Sequence, residues 1–300
     1  MSAAIFAFPE TIARAEALGR ACGVPVHPVT VRRFPDGESL VTAQAHGART
    51  ALLLRSLDDP NVKLVELLLA SAALRDGGAS RVILIAPYLA YMRQDMAFQP
   101  GQAVSQRVIG QLLAQWFDGV VTVDPHLHRI ERLDEAIPGI PALALSAAPA
   151  LVDALKEGLD PRTVLVGPDS ESRPWAQSIA QPLGLDLLIG EKVRHGDRDV
   201  TLAIPGVEQV AGRPVLLVDD VISSGTTLAA CAALLRAAGA SRIEAVATHA
   251  LAMPADMERM AEAGIARIRA SDSTTHPTAT IPLAGVLADA IRAAGWVDLP

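Results

Sequence analysis

Two different hydrophobic patterns alternate along the chain, and they predict alternating strands and helices. Short runs that are apolar throughout are typical of strands buried on both faces of a sheet. The predicted strands are 3–8, 50–54, 81–86, 120–123, 163–167, 186–190, 214–218 and 243–249. Amphipathic stretches between them predict helices at 9–21, 61–76, 103–116, 147–157, 171–181, 225–238, 254–263 and 284–294. This order predicts an α/β fold with mainly parallel sheets flanked by helices.

An internal repeat divides the chain. LRDGGASRVILIA (74–86) is echoed by LRAAGASRIEAVA (235–247), and in both copies a helix ends near glycine before an apolar strand begins. The repeat predicts two tandem domains of similar build, 1–144 and 145–283. The remaining segment, 284–300, is expected to form a helix that packs back on the first domain, although its pattern would let it cap either half.

Composition narrows the function. The chain has 300 residues, 50% of them hydrophobic, a formal net charge of −7 and no Lys/Arg run longer than two, so no nucleic-acid footprint is visible. Its two cysteines lack the spacing of a disulfide framework or a zinc site. There is no basic n-region at the start and no apolar run of membrane-spanning length. We therefore expect a cytoplasmic protein without a membrane or nucleic-acid partner.

The stretch VLLVDDVISSGTTL (215–228) carries the most specific chemistry. An apolar strand ends in Asp219 and Asp220, and a loop of small hydroxyl residues then leads into a helix. The helix N-terminus, with Ser223, Ser224, Gly225, Thr226 and Thr227, is suited to a phosphate, while the acids suit sugar hydroxyls or a hydrated Mg²⁺. The pattern predicts a ribose 5-phosphate site. An ordinary capped helix beside a solvated acidic pair is the alternative.

This loop resembles the ribose-phosphate loop of type I phosphoribosyltransferases. Six further motifs follow in order: RFPDGE (33–38), DDPNVKLVELLL (58–69), APYLAYMRQD (86–95), VTVDPHLHRIE (121–131), VGPDSESRPWA (166–176) and EKVR (191–194). Together they resemble the ribose-phosphate diphosphokinase (phosphoribosyl diphosphate, or PRPP, synthetase) family from residue 5 almost to the end. The resemblance implies two domains of phosphoribosyltransferase-like build. It also implies transfer of the diphosphoryl group of ATP to the 1-hydroxyl of ribose 5-phosphate, giving PRPP and AMP.

The same resemblance assigns the nucleotide site. Phe34, Asp36 and Glu38 would form an adenine pocket contributed by a neighbouring subunit, which implies a homo-oligomer of at least two copies, with a hexamer as a larger option. Arg93, Gln94 and Asp95 would lie along the nucleotide and its phosphates. The sequence has no GxxxxGK[ST] loop, so ATP is not held in the P-loop manner. Taken alone, PDGE is also a strong turn signal and RQD a charged helix start.

The resemblance also assigns metal and catalytic roles. His126 and Asp169 would hold Mg²⁺ at the ATP phosphates, while His128 receives no role. Lys192 and Arg194 would be the mobile cations that stabilise charge during diphosphoryl transfer. Without the resemblance, Asp124, His126 and His128 also fit a transition-metal site or a His pair on a solvated helix start, and Lys192 and Arg194 fit two solvated charges.

Some positions depart from the family pattern. Ser223 stands where the family often has an acid, Thr226 replaces a usual glycine, and Met96 follows RQD where a basic residue is typical. Ser170, Glu171 and Ser172 replace small Gly or Ala residues. Two alternative functions therefore stay open at this point: a phosphoribosyltransferase that consumes PRPP, and a non-catalytic regulatory paralogue of the synthetase.

Overall fold

The computed structural model of the chain describes residues 2–127, 129–194 and 200–297, with the side chains of 192–194 and 200–201 left undescribed. The described chain clusters into two compact units. Unit 1 takes in the chain up to Ser146 together with the segment from Leu283 onward, and unit 2 is Ala147–Pro282.

Unit 1 is built on a six-stranded sheet in the order β2-β1-β5-β6-β7-β8, with every neighbouring pair parallel. Its sheet strands are β1 (Ala3–Ala7), β2 (Val26–Pro28), β5 (Thr50–Leu54), β6 (Arg81–Ile85), β7 (Gly119–Val123) and β8 (Ala142–Leu145). β3 (Thr30–Arg33) and β4 (Ser39–Thr42) form a separate antiparallel hairpin. The helices are α1 (Ile12–Cys22), α2 (Pro60–Asp76), α3 (Ser105–Trp116), α4 (Leu133–Ala136) and α9 (Ala284–Ala293).

Unit 2 repeats this plan. Its parallel sheet runs β10-β9-β13-β14-β15-β16, the same order of strands shifted by eight. The strands are β9 (Val164–Gly167), β10 (Asp186–Ile189), β13 (Pro214–Ile222), β14 (Arg242–Ala250), β15 (Ile265–Ser271) and β16 (Ala279–Ile281), with β11 (Glu191–Arg194) and β12 (Val200–Ala203) as an antiparallel hairpin. The helices are α5 (Ala148–Lys156), α6 (Arg173–Leu183), α7 (Thr226–Ala237) and α8 (Pro254–Glu262). The predicted pair of α/β domains of the same build is confirmed.

Helices cover the sheets because successive strand residues point to opposite faces. In unit 1, one face buries Phe6, Leu53, Leu84 and Val120 in a core closed by α2 and α3. The other buries Ile5, Leu52, Ile83 and Val121, which are fully inaccessible, on the side where α1 packs on α9. Among the helices of the described residues, none combines the length and the apolar character needed to cross a lipid bilayer.

Candidate active site

In a parallel sheet of this kind, side chains at the carboxyl ends of adjacent strands meet in one crevice, which is where such folds place their ligands. In unit 2 the residues at this edge come from β9 and β13, which are direct neighbours. Asp169 follows β9, and Asp219 and Asp220 lie in the last half of β13. The strand does not end at the two acids as predicted but continues to Ile222, because β14 keeps pairing with it as far as Ala250.

The three carboxylates form one acidic cluster, Asp169, Asp219 and Asp220. Burial raises the pKa of Asp219 well above its ordinary value of 3.8, and the neighbouring charges of Asp220 and Asp169 raise it further. The backbone N–H of Asp220 donates to an Asp219 carboxylate oxygen at 3.0 Å, which offsets part of this cost. Such a crowded set of acids is stabilised by a cation or by hydroxyl donors.

A tight turn after β9 places Asp169. Its carboxylate accepts the backbone N–H of Ser172 at 3.2 Å, while the Ser172 hydroxyl donates to the Asp169 carbonyl at 2.6 Å. A Cβ on Gly167 would lie 2.5 Å from the Ser172 hydroxyl oxygen, so only glycine permits this turn. Ser172, one of the departures from the family pattern, thus has a structural role at the N-cap of the turn.

The 223–227 loop lies between β13 and α7. Gly225 is the N-cap of α7 with a φ of 65°, a left-handed conformation that glycine adopts without strain. The first-turn amides of a helix have no intrahelical acceptor and point toward the space before the helix, where an anion is favoured. The hydroxyls of Ser224 and Thr226 lie 3.1 Å apart at this position.

Two residues of α8 that sequence reasoning missed support the loop. Arg259 donates to the carbonyl oxygen of Ser224 and is paired with Asp256 at 2.5 Å. The fully buried Met260 packs so closely that a Cβ on Gly225 would be 2.4 Å from its sulfur. Both residues lie far from the loop along the chain, so no local sequence pattern indicated their contact with it.

Unit 1 presents a second set of predicted residues at the carboxyl edge of its own sheet. Arg93, Gln94 and Asp95 follow β6, and His126 follows the neighbouring strand β7. Asp95, whose side chain is almost inaccessible, is paired with Arg129 at 2.6 Å, so this ion pair joins the two segments. Arg129 belongs to the quoted HRIE motif but was given no role.

The side chains of this edge differ in their exposure. Arg93 is exposed and His126 half-buried. Gln94 holds the start of α3, because its side-chain oxygen accepts the Ser105 hydroxyl and its carbonyl accepts the Gln106 N–H at 3.2 Å. In the 93–95 segment the Arg93 side chain is therefore exposed, whereas the side chains of Gln94 and Asp95 hold the segment in place.

The tip of the β3–β4 hairpin contains Phe34, Asp36 and Glu38. The chain turns there, as the PDGE signal predicts. The Phe34 N–H donates to the Glu38 carbonyl at 2.8 Å, and Asp36 accepts the Glu38 N–H at 3.2 Å. All residues from 32 to 38 are exposed, and the Phe34 ring lies under Arg32 at 5.6 Å. These side chains thus face outward from unit 1.

The remaining predicted residues fall partly outside the described residues. Lys192 and Arg194 belong to β11 of the antiparallel hairpin, where they pair with Leu202 and Val200, and their side chains are not described. His128 lies outside the described residues. Within the described residues, no group of three or more His, Cys, Asp or Glu side chains is placed so that it could hold a metal ion.

The chain matches known proteins along most of its length. A family model described as the N-terminal domain of ribose phosphate pyrophosphokinase matches residues 3–116, and a phosphoribosyl transferase domain model matches residues 137–270. The chain is 34% identical to the ribose-phosphate pyrophosphokinase of Methanopyrus kandleri over 267 residues, covering 88% of this chain and 90% of the relative. It is 34% identical to that of Halobacterium salinarum over 280 residues, covering 92% and 96%.

Structural comparison agrees with this result. The crystal structure of phosphoribosylpyrophosphate synthetase from Mycobacterium smegmatis superposes with a TM-score of 0.82 at 27% identity, covering 98% of this chain and 99% of the other. The fold and the two family models therefore define a two-domain protein of phosphoribosyltransferase-like fold. Within that class, the chain belongs to the ribose-phosphate pyrophosphokinase (PRPP synthetase) family.

Proposed function

We propose that the protein transfers the diphosphoryl group of ATP to the 1-hydroxyl of ribose 5-phosphate, producing PRPP and AMP. The observation that carries this proposal is the acidic cluster beside the 223–227 loop at one sheet edge of unit 2. The loop and the α7 N-terminus bind the 5-phosphate, and Asp219 and Asp220 accept the ribose hydroxyls. This arrangement holds the sugar at both ends, which is what orientation for in-line attack requires.

The bond changes define what the side chains must do. The ribose 1-oxygen attacks the β-phosphorus of ATP, the bond from that phosphorus to the α,β-bridging oxygen breaks, and AMP leaves with the bridging oxygen. The hydroxyl loses its proton to solvent in this step. Asp219 or Asp220 accepts the hydrogen bond that orients the hydroxyl, and Lys192 and Arg194 stabilise charge on the transferred group.

The acidic cluster fits Mg²⁺, which prefers carboxylate oxygens and retains several waters, so an incomplete protein cage suits it. A bound cation would also offset the repulsion that raises the pKa of Asp219. When bound, Mg²⁺ would neutralise the phosphates of ATP. We assign Asp169 as a protein ligand of the ion in unit 2, with Asp219 and Asp220 contacting it through water.

The nucleotide site completes the proposal. Arg93, Gln94, Asp95 and His126 lie along ATP, and Phe34, Asp36 and Glu38 of a neighbouring subunit hold the adenine. The outward-facing hairpin tip supports a shared site, since Phe34 is 37% exposed in the single chain and leaves a stacking face open. An assembly of at least two copies is therefore part of the proposed function. An active species found only as a monomer by native mass spectrometry would refute the adenine assignment.

The activity is tested by incubating the protein with ATP, Mg²⁺ and ribose 5-phosphate and measuring AMP and PRPP. We expect both products in equal amounts. A parallel incubation with PRPP and free nucleobases should release no nucleotide, which separates the synthetase from a phosphoribosyltransferase. Absence of AMP with every nucleotide donor would overturn the proposal and favour the non-catalytic paralogue.

Lys192→Ala tests the catalytic hairpin. We expect turnover to fall by about 10² to 10³, the usual effect of removing one charge-stabilising group, with ribose 5-phosphate affinity unchanged. Lys156→Ala, which removes an exposed lysine paired with Asp153 at 2.9 Å, is the matched control and should be neutral. Turnover and ribose 5-phosphate binding falling together would mean that Lys192 holds substrate rather than the transition state.

A further inference from the structure

Unit 2 contains a second cavity at the edge of its sheet opposite the acidic cluster. This amino-edge cavity has a volume of about 480 Å³ and is lined by the turn after α5 and by the first halves of β13, β14 and β15. Its lining includes Leu159, Arg162, Leu216, Arg242, Glu244, Arg267 and Arg269. Along β13, Leu216 lies about 13 Å from Asp220, taking about 3.3 Å per residue. The two sites therefore do not share residues.

The charges of this cavity are unbalanced toward the positive. Arg242 and Glu244 alternate on β14, Arg267 and Arg269 alternate on β15, and Glu244 is the register partner of Arg267, so all four face the same side of the sheet. Glu244 binds Arg242 at 2.6 Å and lies 3.6 Å from Arg269. Within the described residues Arg267 makes no ion pair or side-chain hydrogen bond, so one carboxylate serves three guanidinium groups.

Arg269 is the least satisfied member of the group. Its side chain is 15% exposed, and its Nε atom is buried without a hydrogen-bond partner among the described residues. Burial lowers the pKa of the Arg269 guanidinium, and the charges of Arg267 and Arg242 lower it further against the opposing effect of Glu244. A buried donor without an acceptor costs stability unless a ligand supplies one.

The remaining charges of the lining reduce this excess but do not cancel it, since four arginines face three acids. Glu157 and Asp160 also contribute to the wall. Asp160 is held by Arg162, whose guanidinium binds both of its oxygens at 3.3 and 2.8 Å. The lining also includes the polar residues Thr163 and Ser241 and a smaller apolar part formed by Leu155, Leu159, Pro214, Val215 and Leu216, so the cavity is mainly polar with one apolar side.

In unit 1 the equivalent position is closed. Ile83 is the residue of the first repeat that corresponds to Glu244, and it is fully buried. The Trp296 indole packs over it, since a Cβ on Gly119 would be 2.8 Å from Trp296 and 3.0 Å from Ile83. In both units the covering helix is followed by a left-handed glycine, at φ 66° for Gly295 and 80° for Gly158. The next residue is Trp296 in unit 1 and the smaller Leu159 in unit 2.

We propose that the amino-edge cavity is a second ligand site, which binds a phosphate monoester with an apolar body of about mononucleotide size. Guanidinium groups match phosphate oxygens with paired N–H donors, and the volume lies in the usual range for small-ligand pockets. The phosphate accepts from Arg267 and from the buried Nε of Arg269. The organic part lies against Leu159 and Leu216.

Hydrogen–deuterium exchange locates the binding. The intact protein is titrated at constant ionic strength with AMP, with inorganic phosphate and with adenosine. We expect AMP to protect peptides covering 155–163 and 265–269, phosphate to do so at higher concentration, and adenosine to have no effect. Because peptides covering 219–227 report the other edge, this result stands whether or not the protein makes PRPP. Protection limited to 219–227 would overturn the proposal.

Two variants test the two halves of the cavity. Arg267→Ala should raise the AMP concentration that gives half-maximal protection about tenfold or more, because a charged hydrogen bond is lost. Leu159→Trp should abolish the protection, because the indole would fill the cavity as Trp296 does in unit 1. Arg236→Ala and Leu234→Trp, which make the same changes on α7, are the controls. Activity without AMP should stay unchanged in all four variants.

If Leu159→Trp does not fold, Arg267→Ala tests the site by itself, because Arg267 is exposed and its removal should not disturb folding. Unchanged protection at 155–163 in Arg267→Ala, or in a folded Leu159→Trp, would show that AMP binds elsewhere and would reject the site.

Discussion

Gly225 is the residue on which the shape of the 223–227 loop most directly depends. Its positive φ excludes most side chains, and the sulfur of Met260 occupies the space that a Cβ would need. Both constraints come from the backbone and the core rather than from the substrate. A loop of the same composition without this glycine would have the same hydroxyls in a different arrangement.

Gly225→Ala should therefore lower the free energy of unfolding by about 1–3 kcal/mol and raise the KM for ribose 5-phosphate. Gly285→Ala is a matched control, since a Cβ there meets nothing within 4 Å and the residue lies in α9, where alanine is favoured. Thermal unfolding and steady-state kinetics check both variants. Equal effects of the two substitutions would contradict the packing argument.

The Asp219 carboxylate lowers the free energy of unfolding at neutral pH. Because its pKa is raised in the folded protein, stability is lost as the pH rises above 3.8 toward the folded-state pKa, and the loss is complete at higher pH. Asp219→Asn should increase the free energy of unfolding at pH 7 and reduce PRPP formation about 10²-fold. Urea unfolding at pH 4 and pH 7 should show a larger stability gain at the higher pH.

Asp76→Asn, at an exposed position at the end of α2, should change neither property. A less stable Asp219→Asn protein would mean that the carboxylate is satisfied in the folded chain and that its burial carries no penalty.

Single residues show where sequence reasoning stops. The composition of the 223–227 loop indicated a phosphate site because hydroxyls, glycine and a helix start are local signals. Arg259, Met260 and Arg129 were not found, since each acts on residues about 35 positions away in the chain. Contacts at that separation depend on how helices pack, which no local pattern records.

At the scale of elements, the β3–β4 hairpin shows how the exposed tip is anchored. Glu66 of α2, whose side chain is 1% exposed, accepts the Ser39 hydroxyl at 2.8 Å and pairs with Arg55 at 2.7 Å. It also lies 3.5 Å from Arg33. Burial by itself raises the pKa of Glu66, but hydrogen bonds from Arg55 and Ser39 and the nearby arginine charges lower it overall. One buried carboxylate thus ties both hairpin strands to the domain.

Glu66→Gln should lower the free energy of unfolding by about 1.5–3 kcal/mol at pH 7, since it removes one of the two carboxylates paired with buried Arg55 and leaves only Glu10 at 2.8 Å among the described residues. The lowered pKa means that the carboxylate stabilises the fold above pH 4.5 and that this contribution disappears as the pH falls through the folded-state pKa. The difference from wild type should therefore shrink below pH 4.5 in urea titrations. Glu16→Gln, exposed on α1, serves as the control; a pH-independent difference would rule out the charge as its cause.

Elements differ in how well they were predicted. The eight predicted helices are all present, because amphipathic periodicity is strong over three turns. Their bounds agree with the prediction within two residues except at the start of α1, which lies at Ile12 rather than at residue 9. Strands β2, β8, β15 and β16 were missed, as were both hairpins. They are short or lie toward sheet edges, and β15 carries Arg267 and Arg269, whose charges hide it from a search for apolar runs.

At the scale of the whole molecule, the last strand of each unit is followed in the sequence by a helix that belongs to the other unit. The segment after β8 forms α5 of unit 2, and the segment after β16 forms α9 of unit 1. The Arg292 guanidinium of α9 donates to the Ala21 carbonyl of α1 at 2.5 Å, and Trp296 is only 5% exposed. The repeat made two similar domains predictable, whereas this exchange depends on packing between distant segments.

Trp296→Ala should cost unit 1 about 3–5 kcal/mol, the usual loss for a buried aromatic side chain. Hydrogen exchange in β6 and β7 should accelerate, while exchange in β13 and β14 of unit 2 stays unchanged. Trp116→Ala, at a tryptophan that is 36% exposed on α3, should have a much smaller effect. Uniform acceleration across both units would show instead that they unfold as a single body.

The exchanged helix also sets the order in which the protein is completed during synthesis. Unit 2 is one uninterrupted stretch and has all its parts once residue 282 has been made. Unit 1, although its first strand is made before unit 2, lacks one of the two helices on one face of its sheet until α9 has been made. The domain that starts first is therefore closed after unit 2, and the face with Ile5, Leu52 and Ile83 is only partly covered while unit 2 is being made.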